Sequence, residues 1–252
     1  MNGAQLGQRL MILQCYSSNY MIYTIEGEIN VPKCVGFIMD GNRRWATQLL
    51  CNTLDGHQAG KEVFYNSISW IQESGIAHAV YYAFSTENWL RNQKEVSYLM
   101  ELFSSFIQFL LKEMPVKETR VRFIGNRSNL NGELQLLMTE LEESTQNYTA
   151  TTIWVALSYG GREELLQACN QAITQGVPVT ESLLGQYLYT NGMPDPDLII
   201  RTGGEKRLSN FLPWQSVYSE LFFTDTYWPA FTKEEFTRIV GQYGDRQRRR
   251  GK

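Results

Sequence analysis

The chain has 252 residues, of which 43% are hydrophobic and 19% charged, and its formal net charge at pH 7 is -3. This composition is typical of a globular protein with a sizeable core and excludes disordered and fibrous classes. The charge excludes a protein that binds nucleic acid through bulk positive charge, so no nucleic-acid partner is expected. Cysteines 15, 34, 51 and 169 form neither a CxxC pair nor a metal-ligand spacing, which predicts reduced thiols in a cytoplasmic protein.

The predicted elements alternate between short strands and helices. Residues 1–30 lack clear periodicity and are predicted to be a poorly specified leader before a single domain at residues 31–252. Apolar strands are predicted at residues 35–39, 80–84, 153–157 and 198–200. Helical periodicity is found at residues 57–73, 93–114, 131–147, 162–175 and 233–243. This alternation predicts an α/β fold with a mainly parallel central sheet and helices on both faces.

Each of the four predicted strands runs into a polar loop rich in small residues. The loops read Asp40-Gly41-Asn42-Arg43-Arg44, Ser85-Thr86-Glu87-Asn88-Trp89, Ser158-Tyr159-Gly160-Gly161-Arg162 and Arg201-Thr202-Gly203-Gly204-Glu205-Lys206-Arg207. Because the carboxyl ends of parallel strands meet at one edge of a sheet, the loops are predicted to converge on one crevice. Carboxylates bind Mg²⁺ and guanidinium forks bind phosphate, so the pattern indicates an anion-plus-metal site. Taken singly, each loop has a simpler interpretation as a turn with solvated charges.

The helix predicted at residues 93–114 has an apolar surface wider than one stripe. It is interpreted either as a central core helix or as one wall of a hydrocarbon tunnel, and the sequence pattern does not separate the two. The chain contains neither a GxGxxG fingerprint nor a GxxxxGK[ST] loop, which removes the usual dinucleotide and nucleoside-triphosphate interpretations.

Five loop motifs occur in an order that resembles the cis-prenyltransferases, the undecaprenyl diphosphate synthase family. The motifs are Met39-Asp40-Gly41-Asn42, Gly56-His57-Gln58-Ala59-Gly60, Phe84-Ser85-Thr86-Glu87-Asn88-Trp89, Tyr159-Gly160-Gly161-Arg162 and Ile200-Arg201-Thr202-Gly203-Gly204-Glu205. The resemblance covers about residues 31–252. It implies a Mg²⁺-dependent homodimer with a hydrophobic tunnel that condenses isopentenyl diphosphate with an allylic prenyl diphosphate, forming a new Z double bond. It is also compatible with peripheral contact with a membrane, into which a lipid product would be released.

The resemblance also implies roles for individual residues. Asp40 and Asn88 would act at the catalytic centre, and Asp40 and Glu220 would form the metal region. The allylic diphosphate would be bound by Gly41, Asn42, Arg43, Arg44, Trp45, His57, Ser85, Trp89 and Arg91. Isopentenyl diphosphate would be bound by Arg201, Arg207, Ser209 and Arg250, the last within a basic segment that can reach across the dimer. Structural alternatives are a helix N-cap for Asp40, a helix-start hydrogen bond for His57 and core packing for Trp89.

Several positions depart from the family pattern. Thr53 stands where long-chain bacterial members usually have an Arg, Lys206 and Cys34 replace His residues, and Ala230 replaces an Asp. A lost charge-assisted contact is worth roughly 1.5–3 kcal/mol, enough to change which allylic diphosphate is preferred. A short-chain synthase and a head-to-middle synthase of branched, lavandulyl-type diphosphates therefore remain alternatives. A non-catalytic regulatory partner and a general phosphate-binding module are more remote, because the motif residues are present.

Product length is predicted from the size of the tunnel residues. Ala83 precedes the second loop and is the small residue expected in a deep tunnel, whereas Tyr81, Phe103, Phe106 and Trp154 favour a shallow one. On balance a medium-to-long linear product is predicted.

Overall fold

The structure is a computed structural model that describes residues 30–246. The leader, Cys15 and the carboxyl-terminal basic segment with Arg250 lie outside the described residues. The described cysteines Cys34, Cys51 and Cys169 are free thiols, as predicted. Within the described part of the chain, no helix is long and apolar enough to span a membrane.

A six-stranded sheet with parallel pairing throughout forms the centre of the described chain. Its strands are β1 (Cys34–Ile38), β2 (His78–Ser85), β3 (Thr119–Ile124), β4 (Thr151–Tyr159), β5 (Leu198–Arg201) and β6 (Glu220–Phe223). They are arranged in the order β3-β4-β2-β1-β5-β6. The predicted α/β class and parallel sheet are therefore confirmed.

Within the described residues, six α-helices lie between these strands in the chain and a seventh follows β6. They are α1 (Asn42–Gln48), α2 (Thr53–Glu73), α3 (Gln93–Val116), α4 (Gly132–Thr145), α5 (Gly161–Thr174), α6 (Glu181–Tyr187) and α7 (Lys233–Gly244). Apolar residues of α2, α3, α4 and α7 form one large core with alternate residues of the strands. The other sheet face is covered by Met193, Phe211 and Leu212, while α5 packs against α6.

The helix predicted from His57 begins four residues earlier, at Thr53. Asn52 caps it by accepting a hydrogen bond from the Leu54 N–H, and Asp55 accepts one from the Asn52 N–H. This capping box overrides the weaker apolar pattern of the first turn.

Two short helices, α1 and α6, and the strands β3 and β6 were not predicted. Seven residues are too few to show helical periodicity, and β3 carries Arg120 and Arg122 among its apolar residues.

Candidate functional site

The four loops predicted to converge follow strands that are neighbours in the sheet. The order β4-β2-β1-β5 sets the carboxyl ends of these strands side by side. Ile38, the last residue of β1, pairs with Tyr82 on one side and with Arg201 on the other. The loop side chains therefore meet at one edge of the sheet, as the sequence pattern predicted.

A sharp turn after β1 presents Asp40. Gly41 has a φ of 106°, and a Cβ on it would lie 2.5 Å from the Tyr227 ring, so only glycine fits. The main-chain oxygen of Asp40 accepts hydrogen bonds from the Trp228 N–H at 3.0 Å and the Thr202 hydroxyl at 2.7 Å. Gly41, not Asp40, is the N-cap of α1. The N-cap alternative for Asp40 is therefore wrong, and its carboxylate is left for other contacts.

Two arginines hold the Asp40 carboxylate. Arg201 Nη2 lies 2.9 Å from Oδ2, and Arg44 Nη2 lies 3.2 Å from Oδ1. The Asp40 side chain is 31% exposed, whereas that of Arg201 is 5% exposed. Burial alone would raise the pKa of Asp40, but the hydrogen bond and charge of Arg201, together with Arg44, lower it below its usual value. Asp40 is therefore an ionised, partly accessible carboxylate.

Arg201 also organises the loop that follows β5. Its Nη1 donates to the main-chain oxygen of Arg207 and, at 2.8 Å, to the Ser209 hydroxyl. Its Nε is buried without a hydrogen-bond partner. Arg207 itself is exposed and pairs with Glu205, whose carboxylate also lies 3.8 Å from Arg44 Nη1. Because buried donors are normally satisfied, the orphaned Nε favours an anion at this place.

Glycines on α2 allow α1 to approach closely. A Cβ on Gly56 would lie 2.0 Å from the main-chain oxygen of Asn42, and one on Gly60 would lie 2.2 Å from Asn42 Oδ1. The carbonyl of Gly60 accepts the Trp228 indole N–H at 2.8 Å. The predicted Gly56-to-Gly60 motif thus positions Asn42, whose Oδ1 is buried without a partner. Trp45 lies half-buried further along α1.

A charged cluster that the sequence did not predict centres on Glu95. Its carboxylate lies 3.0 Å from Arg91 Nη1, 3.6 Å from Arg43 Nη1 and 3.8 Å from His57 Nε2. Burial lowers the pKa of His57 to about 4, helped by the charges of Arg91 and Arg43 and opposed by Glu95. Arg91 precedes α3 in an extended conformation, so its pairing with Glu95 of that helix is not one that helical spacing predicts.

Ser85 ends β2 and precedes a short 3₁₀ helix, Thr86–Leu90, which carries Asn88 and Trp89. Ser85 and Asn88 cap it reciprocally, and Asn88 Oδ1 accepts the Ser85 N–H at 3.1 Å. The Trp89 indole donates to the Ser158 hydroxyl at 3.0 Å and packs against Phe84. Since Asn88 Oδ1 serves the cap, its amide nitrogen is the group left to face a substrate.

Asn210, also missed by sequence reasoning, joins three of the converging loops. Its Nδ2 donates to Glu87 Oε1 at 2.8 Å, and its Oδ1 accepts the Arg162 N–H at 2.9 Å. Asn210 and its neighbour Ser209 both adopt positive φ, at 65° and 50°. The loop after β5 therefore has a defined conformation despite its polar, glycine-rich sequence.

A cavity of about 120 Å³ opens beside these groups. Its polar rim includes Asn42, His57, Asn88 and Arg91, and its walls are apolar. Leu99, Leu102, Phe103, Phe106, Ile107 and Leu110 of α3 line it. The wide apolar surface predicted for this helix therefore serves both core and cavity, since Val96 and Met114 are buried in the core.

Some of the residues predicted to set product length line the cavity, and others lie elsewhere. Ala83 lies at a β-bulge, where the pairing of β2 with β4 shifts between Tyr82 and Phe84, and it lines the cavity. Phe103 and Phe106 line it as well. Trp154 belongs to the core on the opposite sheet face, so the prediction that it narrows the cavity is wrong. Strand alternation explains the error, because neighbouring residues point to opposite faces.

Glu220 is not brought to Asp40 within the described chain. It pairs with Leu198 at the amino end of the sheet, whereas Asp40 follows the opposite end of β1. Its carboxylate pairs with Arg246. Between residues 30 and 246, no group of three or more His, Cys, Asp or Glu side chains could hold a metal ion. Asp40 is an ionised carboxylate at this edge of the sheet that could bind a cation together with a substrate phosphate.

Comparison with known proteins agrees with this geometry. A family model described as putative undecaprenyl diphosphate synthase matches residues 38–251. The isoprenyl transferase of Thermotoga maritima is 42% identical over 228 residues, covering 88% of this chain and 98% of that protein. That of Aquifex aeolicus is 42% identical over 225 residues, covering 89% and 97%.

Two solved structures share the fold. A probable undecaprenyl diphosphate synthase from Campylobacter jejuni has a TM-score of 0.77 and 33% identity, covering 88% of this chain and 100% of that one. The lavandulyl diphosphate synthase of Lavandula x intermedia, in complex with dimethylallyl diphosphate, has a TM-score of 0.84 and 31% identity, covering 88% and 99%. On this sequence and structural similarity, the chain is a prenyltransferase and belongs to the undecaprenyl diphosphate synthase family.

Proposed function

We propose that this prenyltransferase condenses isopentenyl diphosphate with an allylic diphosphate, farnesyl or geranyl diphosphate, to give a Z-polyprenyl diphosphate. The observation that carries the proposal is the ionised Asp40, held between Arg201 and Arg44 next to a cavity with apolar walls. Cationic donors suit the diphosphate end of such a substrate, and the dry cavity suits its hydrocarbon end.

In the proposed reaction, the allylic carbon–oxygen bond breaks and diphosphate leaves with the bonding electrons. The double bond of isopentenyl diphosphate supplies the electrons of the new carbon–carbon bond, and the resulting cation loses a proton to the departing diphosphate. Arg44, Arg43 and Arg91 would bind the allylic diphosphate, and Arg201, Arg207 and Ser209 the isopentenyl diphosphate. Asn88 would orient the reacting carbons. The apolar wall would exclude water from the allylic cation, which water would otherwise capture.

The residues present fit a Mg²⁺ ion that is shared with substrate. Mg²⁺ is commonly bound by one or two carboxylates together with substrate phosphates, and Asp40 supplies one ionised carboxylate. When bound, the ion would neutralise negative charge that develops on the departing diphosphate. We also propose that the enzyme is a cytoplasmic homodimer and that it contacts a membrane peripherally when it releases its lipid product.

Product analysis tests this proposal. Purified protein is incubated with Mg²⁺, labelled isopentenyl diphosphate and, separately, dimethylallyl, geranyl and farnesyl diphosphates. A ladder of linear Z-configured products from geranyl or farnesyl diphosphate is expected. A single branched product from dimethylallyl diphosphate would contradict it.

Two observations favour a second candidate, a short-chain or head-to-middle branched synthase. Thr53, at the start of α2, is exposed and leaves the allylic side without the Arg of long-chain members. The cavity volume is comparable to that of a roughly 150 Å³ cavity that accommodates benzene, so it holds about one or two five-carbon units. Replacing Thr53 with Arg tests the first point. A shift of Thr53→Arg towards longer linear products would show that Thr53 restricts the product to short or branched chains. An unchanged product profile would exclude that role for Thr53.

A further inference from the structure

The helices α2 and α3 run side by side in the same direction, and the cavity lies between them. Near its mouth, His57 of α2 faces Glu95 of α3. Further along, Phe64 of α2 and Leu110 of α3 are the last residues of each helix to line the cavity. Beyond these residues, the cavity can extend between α2 and α3 only if the two helices lie further apart.

Beyond Phe64 the interior is filled. Ile68 of α2 and Met114 of α3 are fully buried in the large core. Phe106 packs edge-on against Phe64 at 5.3 Å, and Phe109 packs edge-on against Tyr65 at 5.0 Å. Protein interiors are close-packed, so a longer hydrocarbon chain has no empty space to enter there. It can extend only if α3 moves away from α2.

Polar side chains just beyond the cavity join α2 to the end of α3 through hydrogen bonds. Tyr65 Oη donates to Glu113 Oε2 at 2.6 Å, and Lys117 Nζ donates to Ser69 Oγ at 2.7 Å. Gln72 Nε2 donates to the main-chain oxygen of Lys117 at 2.8 Å. The Lys117 ammonium also lies 4.7 Å from the centre of the Tyr65 ring. Each of these five side chains is partly exposed, and none of them lines the cavity.

We propose that Tyr65, Ser69, Gln72, Glu113 and Lys117 form a latch that limits product length by holding the end of α3 against α2. The inference rests on the proposed function, because it concerns the hydrocarbon product of that same cavity. It assigns a specificity-determining role to residues outside the cavity wall. The growing chain would press on the Phe64 and Phe106 layer, and the latch would resist the separation of the helices that further growth requires.

The strongest single contact in the latch is the Tyr65–Glu113 hydrogen bond. Burial and the Glu113 carboxylate raise the pKa of Tyr65 to about 12, so its hydroxyl keeps the proton that it donates. A hydrogen bond from a hydroxyl to a partly exposed carboxylate changes the ratio of closed to open states by about 10-fold. Its loss should therefore be visible in the product distribution without unfolding the protein.

Tyr98 provides a matched control. Tyr98 lies on α3, whereas Tyr65 lies on α2, and the Tyr98 hydroxyl donates to the main-chain oxygen of Leu54 in α2 at 3.5 Å, near the mouth of the cavity. Tyr65→Phe and Tyr98→Phe therefore remove the same group from the same helix pair at opposite ends. Chain lengths made from labelled isopentenyl diphosphate and geranyl diphosphate, whose two five-carbon units fit the cavity, are compared, together with amide hydrogen exchange at residues 107–114.

We expect Tyr65→Phe and Glu113→Ala to lengthen the main product by at least one five-carbon unit and to speed exchange at residues 107–114. Tyr98→Phe should leave both unchanged. Glu113→Gln keeps an acceptor oxygen and should keep the wild-type length. The double variant with Tyr65→Phe and Glu113→Ala should add nothing beyond either single change, because both remove one interaction.

Unchanged product length in Tyr65→Phe and Glu113→Ala would overturn the latch and leave the proposed function standing. Equal lengthening by Tyr98→Phe would also overturn it, because the effect would then be general loosening. If the wild-type protein formed no condensation product, the proposed function would itself fail, and the latch would fail with it.

Discussion

Replacement of Arg201 by Met removes the side chain that joins Asp40 to the loop after β5. Arg201 is almost fully buried, and it contacts Asp40 Oδ2 at 2.9 Å, the Ser209 hydroxyl at 2.8 Å and the main-chain oxygen of Arg207. A buried charge-assisted hydrogen bond is worth about 1.5–3 kcal/mol, and the Asp40 contact counts for less because that carboxylate is about a third exposed. We expect a loss of about 3 kcal/mol in the free energy of unfolding.

The same change should lower catalysis more than stability alone explains. Loss of a charge-assisted contact to the intact diphosphate of isopentenyl diphosphate is worth about 1.5–3 kcal/mol, so we expect kcat/KM for isopentenyl diphosphate to fall by about 10- to 150-fold. Arg201→Lys keeps the positive charge but lacks the forked guanidinium that contacts Asp40 and Ser209 together. Its kcat/KM should therefore lie between those of wild type and Arg201→Met.

Urea denaturation and steady-state kinetics on the three proteins check this prediction. Ordinary surface substitutions change the free energy of unfolding by about 0.5 kcal/mol or less. A change this small in Arg201→Met would refute the argument from buried contacts. Equal kcat/KM in wild type and Arg201→Met would refute the assignment of Arg201 to substrate binding.

Three further predictions concern the helix contact, the buried histidine and the cavity wall. Gly60→Ala should destabilise the fold by about 1–3 kcal/mol in urea denaturation, because the new Cβ would lie 2.2 Å from Asn42 Oδ1. Gly241→Ala has nothing within 4 Å and should stabilise α7 by about 0.5–1 kcal/mol; the same sign for both would contradict the packing account. The folded-state pKa of His57 is about 4 and its ordinary value 6.5, so the unfolded chain takes up its proton first on acidification. Wild type should therefore keep its full stability above pH 6.5 and lose about 3 kcal/mol through His57 between pH 6.5 and 4, and His57→Asn should remove that loss. Ala83→Leu should shorten the product by about one five-carbon unit in chromatographic analysis, since Ala83 lines the cavity. Unchanged length there would exclude Ala83 as a size determinant.

Much of the site could be predicted because its signals are local in the chain. Asp40, Ser85, Ser158 and Arg201 each follow closely on, or end, an apolar strand, and the geometry of parallel sheets alone brings such positions together. The Gly41 turn was equally legible, since the chain must reverse there before α1 begins. The apolar width of α3 indicated burial on more than one side, and the cavity follows from it.

The remaining features depend on contacts that periodicity does not encode. Glu95 joins residues from three segments, and its contacts with them are not visible in the sequence. Glu220 begins a four-residue strand that was not predicted, so its position at the amino end of the sheet could not be foreseen. Trp154 was assigned to the cavity because the bulk of a side chain is visible in sequence, whereas the sheet face it occupies depends on register.

The rate of condensation in wild type and in Asp40→Asn, each with Mg²⁺ and with excess EDTA, tests the central claim most directly. Asn keeps the shape of Asp40 but not its charge. If Asp40 holds the ion against the diphosphate, wild type should incorporate labelled isopentenyl diphosphate only with Mg²⁺, and Asp40→Asn should be slower by at least about 100-fold at equal metal. Equal rates in wild type and Asp40→Asn, or full activity in EDTA, would contradict the account.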